Sequence, residues 1–203
     1  MINAAIATDV LTFWFGSADG TAMDYRSCRK RWFRKSASFD QTVRQRFEDI
    51  YRQVYAEAMS NQSFAALAQA NPAQSLAITL LLDQFPRNMF RGAPMAFASD
   101  PQANAVAKAA IACGFDQQVP PVRRMFFYLP LEHSEFRHDQ QQSVRLFEAL
   151  AAQSPELQDT YDYALRHQQV IERFGRFPHR NPILGRRSTA AEVVVLKQPG
   201  SSF

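Results

Sequence analysis

Hydrophobic residues recur along this chain at steps of three and four positions, which is the period of a helix rather than of a strand. The clearest run comprises Phe39, Val43, Phe47, Ile50, Val54 and Ala58. Charged residues fill the positions between them, so one face of this segment is apolar and the other is polar. The pattern predicts a helix over about 39–60, with Ser38 as its N-cap and Asp40 in its first turn.

Proline and capping residues mark where further helices begin and end. Asn71 followed by Pro72 is typical of an N-cap with proline at the first helical position. The helix that they open should stop near Phe85, because Pro86 disfavours helical geometry in the residue before it. Similar signals predict a short final helix after a capping box at Thr189, and helices over about 99–114, 121–129, 131–152 and 154–175.

These segments together predict an all-α protein of eight to nine helices in antiparallel pairs joined by short connections. The one β-favouring run, Val193 to Leu196, follows the capping box and is therefore predicted to be helical. No Pro/Gly-rich linker divides the chain, so we expect a single domain over 1–203. A search for a 34-residue tetratricopeptide repeat finds no clean consensus.

Composition supports a packed domain without disulfide or metal support. A chain of 203 residues should bury about 70% of its unfolded surface, and the 17 phenylalanines predict an aromatic core or an aromatic-lined cleft. Cys28 and Cys113 form no disulfide framework, and Cys113 lies in an apolar run where a thiol usually packs as a small hydrophobe. Without a signal peptide or an apolar stretch of about 20 residues, the expected location is cytoplasmic and away from membranes.

Three polar segments interrupt the amphipathic pattern, and they cover 82–91, 126–135 and 173–182. Each one follows an apolar helical run and combines a proline with acidic, basic or amide side chains. The first and third echo one another, because both place a Phe-Pro step before basic and amide groups. Proline fixes the backbone at these steps, so the polar groups after it should be held in place.

We expect the three segments to meet in one phenylalanine-floored pocket that binds a small anionic ligand. Arginine forks bind carboxylate or phosphate groups in a bidentate manner, and a histidine can transfer a proton near neutral pH. The candidate catalytic residues are Glu132 and His133. The candidate ligand-binding residues are Asp83, Gln84, Arg87, Asn88, Glu135, Arg176, His179, Arg180 and Asn181.

The same polar residues are also compatible with structural or protein-binding roles. A paired network of charges can simply lock a loop in place, and arginines can cap helix ends. A helical array could also bind a peptide or a partner protein in a groove. The basic segment 26–35, which includes Trp32 and Phe33, could bind RNA, although the pattern fits a solvated helix face beside two core aromatics better.

No metal or cofactor is expected. Glu135 and His138 have the Glu-x-x-His spacing of di-iron bundles, but such sites need a second motif that the other histidines do not supply. The chain has no glycine-rich phosphate loop and no Gly-x-Ser-x-Gly elbow. Nucleotide binding through backbone amides is therefore disfavoured.

Several longer strings resemble a widespread, mostly bacterial family of uncharacterised proteins that is defined only as a domain of unknown function. They span nearly the whole chain and comprise 10–16, 82–88, 126–135, 175–181, 184–186 and 188–189. The resemblance implies a tetratricopeptide-like α-α superhelix. It brings no activity, substrate, cofactor or catalytic residue with it.

Overall fold

The computed structural model of the protein describes residues 2–17, 25–60, 71–198 and 200. Within these ranges the regular secondary structure is helical and includes no strand. The α-helices are α1 Ala4–Phe15, α2 Tyr25–Phe33, α3 Ala37–Ser60, α4 Pro72–Met89, α5 Asp100–Ala112, α6 Pro121–Glu132, α7 Arg137–Gln153, α8 Gln158–Phe174 and α9 Ala190–Leu196. Short 3-10 turns lie at Pro94–Ala96, Asp116–Gln118, Pro155–Leu157 and Pro178–Arg180. The all-helical prediction is confirmed, including helix at 193–196.

Helix α4 is the centre of the fold. It packs against α1, α3, α5 and α6, and α7 and α8 pack as a pair on the other side of α6. Every residue of α4 from Ser75 to Pro86 is buried, as expected for a helix surrounded by others. Aromatic side chains fill the space around it, with Trp14 at 5.3 Å and Phe47 at 4.9 Å from the ring of Phe85. The abundant phenylalanines thus contribute mainly to the core.

The predicted end of this helix near Phe85 was wrong, because α4 continues through Pro86 to Met89. A proline inside a helix lacks the N–H that would bond to the carbonyl four residues earlier. That carbonyl belongs to Leu82, and the hydroxyl of Ser99 donates to it at 2.6 Å instead. A side chain from the start of α5 therefore replaces the missing helical hydrogen bond.

Pro130, the proline of the second polar segment, also lies inside a helix. Helix α6 passes through Pro130 and ends at Glu132, and α7 begins only at Arg137. The predicted helix over 131–152 therefore began too early. Glu132 is thus the last residue of α6, whereas Glu135 lies in the turn before α7.

Local capping signals were more dependable. The side chain of Asn71 accepts from the amide of Gln74 at 2.9 Å, and Thr189 forms the expected capping box. At α3 the expected cap at Ser38 was slightly misplaced, because the helix already begins at Ala37.

Cys113 is exposed rather than packed in the core. Among the described helices, none is both long and apolar enough to cross a membrane.

Candidate functional site

A cavity of about 640 Å³ lies between α2, α4, α6, α8 and the segment around Pro178–Arg180. Its buried end is polar and its walls are largely aromatic or aliphatic. The polar lining residues are Arg29, Lys35, Gln84, Arg87, Asn88, Arg91, Glu132, His133, Asp159, Thr160, His167, His179 and Arg180. The apolar and aromatic lining residues are Tyr25, Trp32, Phe33, Ala96, Phe97, Met125, Leu129, Tyr163 and Ile183.

The depth of the cavity follows from the exposure of its lining. Glu132, His167 and Arg180 are at most 6% exposed and form its inner end. Phe33 and Tyr163 are 47% and 38% exposed and lie at the rim. A ligand would therefore pass an aromatic rim before it meets the charged and titratable groups.

Asp83 lies behind this lining and holds His133. Oδ1 of Asp83 is 2.7 Å from Nδ1 of His133, and Oδ2 accepts from Gln84 at 2.7 Å. Burial opposes ionisation of Asp83, but the charges of Arg87 and His133 outweigh it and lower the pKa of this carboxyl. Burial and then Arg87 lower the pKa of His133. At neutral pH this pair is an ionised carboxylate that accepts from the Nδ1–H of a neutral imidazole.

Glu132 pairs with His167 on α8, and here the pKa of the carboxyl is raised rather than lowered. Its Oε1 lies 3.1 Å from Nδ1 of His167, which also lies 2.9 Å from the carbonyl oxygen of Tyr163. A carbonyl can only accept, so Nδ1 of His167 carries the hydrogen. Burial and then the charge of Asp83 raise the pKa of Glu132 well above its usual range. Burial lowers the pKa of His167 well below 6.5, so this imidazole is neutral at pH 7, and the raised pKa of Glu132 favours its protonated form.

Two arginines, the partly buried Arg87 and the buried Arg180, share one carboxylate, that of Asp100 at the start of α5. Arg87 donates to both oxygens of Asp100, at 2.8 and 3.0 Å, and also to the backbone oxygen of Asp83 at 2.7 Å. Nη1 of Arg180 lies 3.2 Å from the same Asp100. Burial lowers the pKa of Arg180 to about 10, so this arginine remains charged at neutral pH.

Aromatic rings hold Arg180 and His179 at the inner end. The guanidinium of Arg180 lies 4.5 Å from the ring centre of Phe177 and 4.7 Å from that of Phe97, which is within cation–π range. The His179 ring lies 5.6 Å from Phe177. Burial and then Arg180 lower the pKa of His179 to about 4, so it is neutral over the physiological range.

Charge around the cavity is slightly positive. Arg29 pairs with Asp159 at 2.6 Å, and Arg91 pairs with Asp40 at 2.7 Å. Arg87 and Arg180 are balanced by Asp83 and Asp100, as described above. Lys35 adds a positive charge for which the described residues provide no acidic partner.

Seven of the residues selected from the sequence line this cavity, namely Gln84, Arg87, Asn88, Glu132, His133, His179 and Arg180. An eighth, Asp83, lies directly behind His133 and Arg87. The structure therefore brings acidic, basic and imidazole groups from all three polar segments to one hollow.

The other three selected residues, Glu135, Arg176 and Asn181, lie outside the cavity lining. They belong to a network that we term the C-terminal clamp, which comprises Glu135, Arg176, Asn181, Arg186 and Glu192. Glu135 accepts from both ends of the Arg186 fork, at 2.7 and 3.0 Å. Arg176 donates to both oxygens of Glu192, and Asn181 bonds to Glu192 and Arg186. The clamp ties α9 and the segment before it to the turn between α6 and α7.

Sequence reasoning missed several residues of the cavity. In the sequence Asp100 marks only the start of a helix, and His167 lies in an ordinary amphipathic helix without any local signal. Trp32, Phe33 and Lys35 belong to the basic segment 26–35, for which the sequence suggests RNA binding as an alternative. Arg29 and Lys35 of that segment line the cavity, so a search for basic residues interleaved with aromatics could have found the rim.

Metal binding finds no support in the arrangement of donors. Among the residues that the structure describes, no group of three or more His, Cys, Asp or Glu side chains is placed to hold an ion. The imidazoles of His133 and His167 already bond to Asp83 and to the Tyr163 carbonyl.

Comparison with known proteins agrees with this fold. A solved structure of a protein of unknown function from Agrobacterium tumefaciens matches with a TM-score of 0.78 and 37% sequence identity, over 96% of this chain and 98% of the other. Curated proteins provide no match. The sequence profile of a family described as bacterial proteins of unknown function, DUF924, matches residues 10–200. The chain therefore belongs to the DUF924 family.

Proposed function

We propose that the cavity between α2, α4, α6 and α8 binds a small organic anion. One observation carries this proposal: a single hollow joins an aromatic entrance to a buried end that contains two guanidinium groups. A volume of about 640 Å³ is within the range of small-molecule sites, which are typically apolar with a few fixed polar groups. The apolar part of the ligand would lie against Trp32, Phe33 and Leu129.

The buried end favours an acceptor with negative charge. Nε of Arg180 is buried and has no hydrogen-bond partner among the described residues. A buried donor without a partner is costly, so an oxygen atom of a ligand would relieve it. Lys35 at the rim would attract an anion towards the entrance.

A peptide groove is the alternative that the tetratricopeptide-like superhelix of the family resemblance would suggest. Helical repeats usually distribute their contacts over several units along an open surface. Here the polar groups converge at the inner end of one cavity, which favours a compact ligand. RNA binding has less support, because Arg31 donates to the Phe13 carbonyl at 2.6 Å and Arg29 pairs with Asp159.

Two dyes with the same ring system test the proposal. 8-Anilinonaphthalene-1-sulfonate is an anion, whereas N-phenyl-1-naphthylamine has no charge. Fluorescence titration of the wild-type protein should give a dissociation constant at least tenfold lower for the sulfonate. Arg180→Met should reduce this preference several-fold, and Lys35→Gln should weaken it and its salt dependence.

Matched controls are exposed basic residues that do not line the cavity. Arg173→Met and Lys30→Gln remove the same charges and should leave both titrations unchanged. Circular dichroism shows whether each variant is folded. Equal affinity for the two dyes, or an unchanged preference in folded Arg180→Met and Lys35→Gln, would contradict the proposal.

A further inference from the structure

We propose that the buried end of the cavity catalyses proton transfer at a carbon next to a carbonyl group, with His133 as the base and Glu132 as the acid. This inference rests on the proposed ligand site and adds a reaction class to it. Two observations carry it. His133 is held by a buried carboxylate, and Glu132 has a buried oxygen without a partner among the described residues.

The first observation defines the tautomer of His133. Asp83 is 1% exposed and accepts from Nδ1 at 2.7 Å, so the lone pair of the neutral ring is on Nε2. His133 lines the cavity, whereas Asp83 is enclosed behind it. Asp83 is thus a positioning residue that orients the imidazole and would stabilise the imidazolium formed when Nε2 accepts a proton. The burial and the Arg87 charge that lower the pKa of His133 keep the ring in its basic form at pH 7.

The second observation concerns the neighbouring residue. Glu132 is 3% exposed, its Oε1 faces His167, and its Oε2 has no hydrogen-bond partner among the described residues. A carboxylic acid retained in its neutral form at this depth can donate a proton that a carboxylate in water cannot. The raised pKa of Glu132 agrees with this role.

The two residues are adjacent in the chain, but their side chains contact different helices. Glu132 reaches His167 on α8, and His133 reaches Asp83 on α4. Both residues lie at the end of α6, so the acid and the base stand side by side at the inner end of the cavity, Glu132 beside α8 and His133 beside α4. Arg180 and Arg87 lie at the same end and would hold a carboxylate of the substrate.

The reaction balances without a further reactant. Nε2 of His133 takes a proton from the carbon next to the carbonyl, and the C–H electron pair forms a C=C bond. The carbonyl oxygen takes the proton of Glu132 and becomes an enol hydroxyl. His133 is then an imidazolium and Glu132 a carboxylate. Reversal restores both groups, and return of the proton to the other face or another carbon gives an isomer.

Hydrogen–deuterium exchange measures this step directly. The probes are phenylpyruvate and 2-oxobutanoate, which combine a carboxylate, a carbonyl and an acidic C–H, dissolved in D₂O. We expect the wild-type protein to accelerate loss of the C3 proton signals of both above the buffer rate. Phenylacetone lacks the carboxylate and should be accelerated at least tenfold less.

Variants separate the two roles from a purely structural one. His133→Gln retains a donor towards Asp83 but cannot accept a proton from carbon, so exchange should fall to the buffer rate. Glu132→Gln retains the shape, and its rate should fall by roughly 100-fold, which is typical of a lost general acid. His138→Gln is the matched control, because its side chain is 83% exposed. Its rate should equal that of the wild type.

One measurement needs no variant. A saturating concentration of 8-anilinonaphthalene-1-sulfonate should slow exchange by the wild type, because dye and probe would compete for one cavity. Exchange at the buffer rate with both probes, or exchange that the dye leaves unchanged, would overturn the inference. Full activity in folded His133→Gln would also overturn it. In each case the dye-binding result would still decide the proposed ligand site separately.

Discussion

The hydroxyl of Ser99 donates a 2.6 Å hydrogen bond to the carbonyl oxygen of Leu82, the acceptor that Pro86 cannot serve. This bond allows α4 to continue to Met89 rather than end at the proline. The additional turn carries Arg87 and Asn88 into the cavity lining. The position of two candidate ligand-binding residues therefore depends on a serine that begins another helix.

Removal of this hydroxyl should destabilise the protein. Ser99→Ala leaves the buried Leu82 carbonyl without a donor, which costs about 1–3 kcal/mol. The measurement is urea unfolding at pH 7. In a Pro86→Ala background the alanine N–H can bond to Leu82, so Ser99→Ala should cost clearly less. If the two changes are additive to within about 0.5 kcal/mol, the bond does not compensate for the proline.

Asp83 should stabilise the fold in a pH-dependent manner. Its pKa is lowered in the folded protein, so its contribution is present above the ordinary value of 3.8 and is lost as the pH falls below it. Asp83→Asn should therefore destabilise the protein by about 3–5 kcal/mol at pH 7, and by less at pH 3. Denaturant unfolding at both pH values measures this difference.

The control for this change is Asp9→Asn. The Asp9 side chain is 52% exposed and pairs with Arg46 at the surface. Exposed pairs contribute less than about 1 kcal/mol, so this variant should unfold almost like the wild type. Equal losses for Asp83→Asn and Asp9→Asn would show that the buried contact to His133 has no special weight.

The contribution of Glu132 to stability should depend on pH in the opposite direction and decrease as the pH rises. Its pKa is raised in the folded state, so the unfolded chain loses this proton first as the pH rises above 4.5. Stability of the wild type relative to Glu132→Gln should then decrease with rising pH, by up to about 1.4 kcal/mol per pH unit, until the folded pKa is reached. Urea unfolding of both proteins at about pH 4.5, 6 and 7.5 tests this. A difference that is constant across the series would contradict a neutral Glu132.

The C-terminal clamp should contribute to stability and not to ligand binding. Glu135→Gln weakens the paired bonds to Arg186, which should lower the unfolding free energy by about 1–3 kcal/mol. The same variant should retain the wild-type dissociation constant for 8-anilinonaphthalene-1-sulfonate. A large loss of dye affinity in the folded variant would instead indicate that Glu135 contributes to ligand binding.

Local signals predicted the helices well because caps and hydrophobic periodicity act within a few residues. Asn71 and Thr189 cap helices as expected, since the acceptor and donor are three residues apart. The helix end predicted at Pro86 was wrong because the compensating hydrogen bond is not local. Local rules end a helix at Pro86, and the bond that rescues it joins residues 17 positions apart.

The candidate site was predictable in part for a related reason. Charged groups that interrupt an apolar run are visible in the sequence, and this indicated Arg87, Glu132 and Arg180. Their partners are not visible, because His167 is 35 positions from Glu132 and Asp100 is 80 positions from Arg180. Sequence spacing alone likewise could not separate Glu135, which belongs to the clamp, from its neighbours in the cavity.

The shared carboxylate of Asp100 has a consequence for how this protein can change. Because it faces both Arg87 and Arg180, a neutral replacement at position 100 would remove the carboxylate beside Arg180 and one of the two carboxylates beside Arg87. Replacement of one arginine alone would leave the other as the remaining cation of these two beside the Asp100 carboxylate. Substitutions at positions 87, 100 and 180 should therefore be coupled, and divergent relatives should either keep all three residues or replace them together.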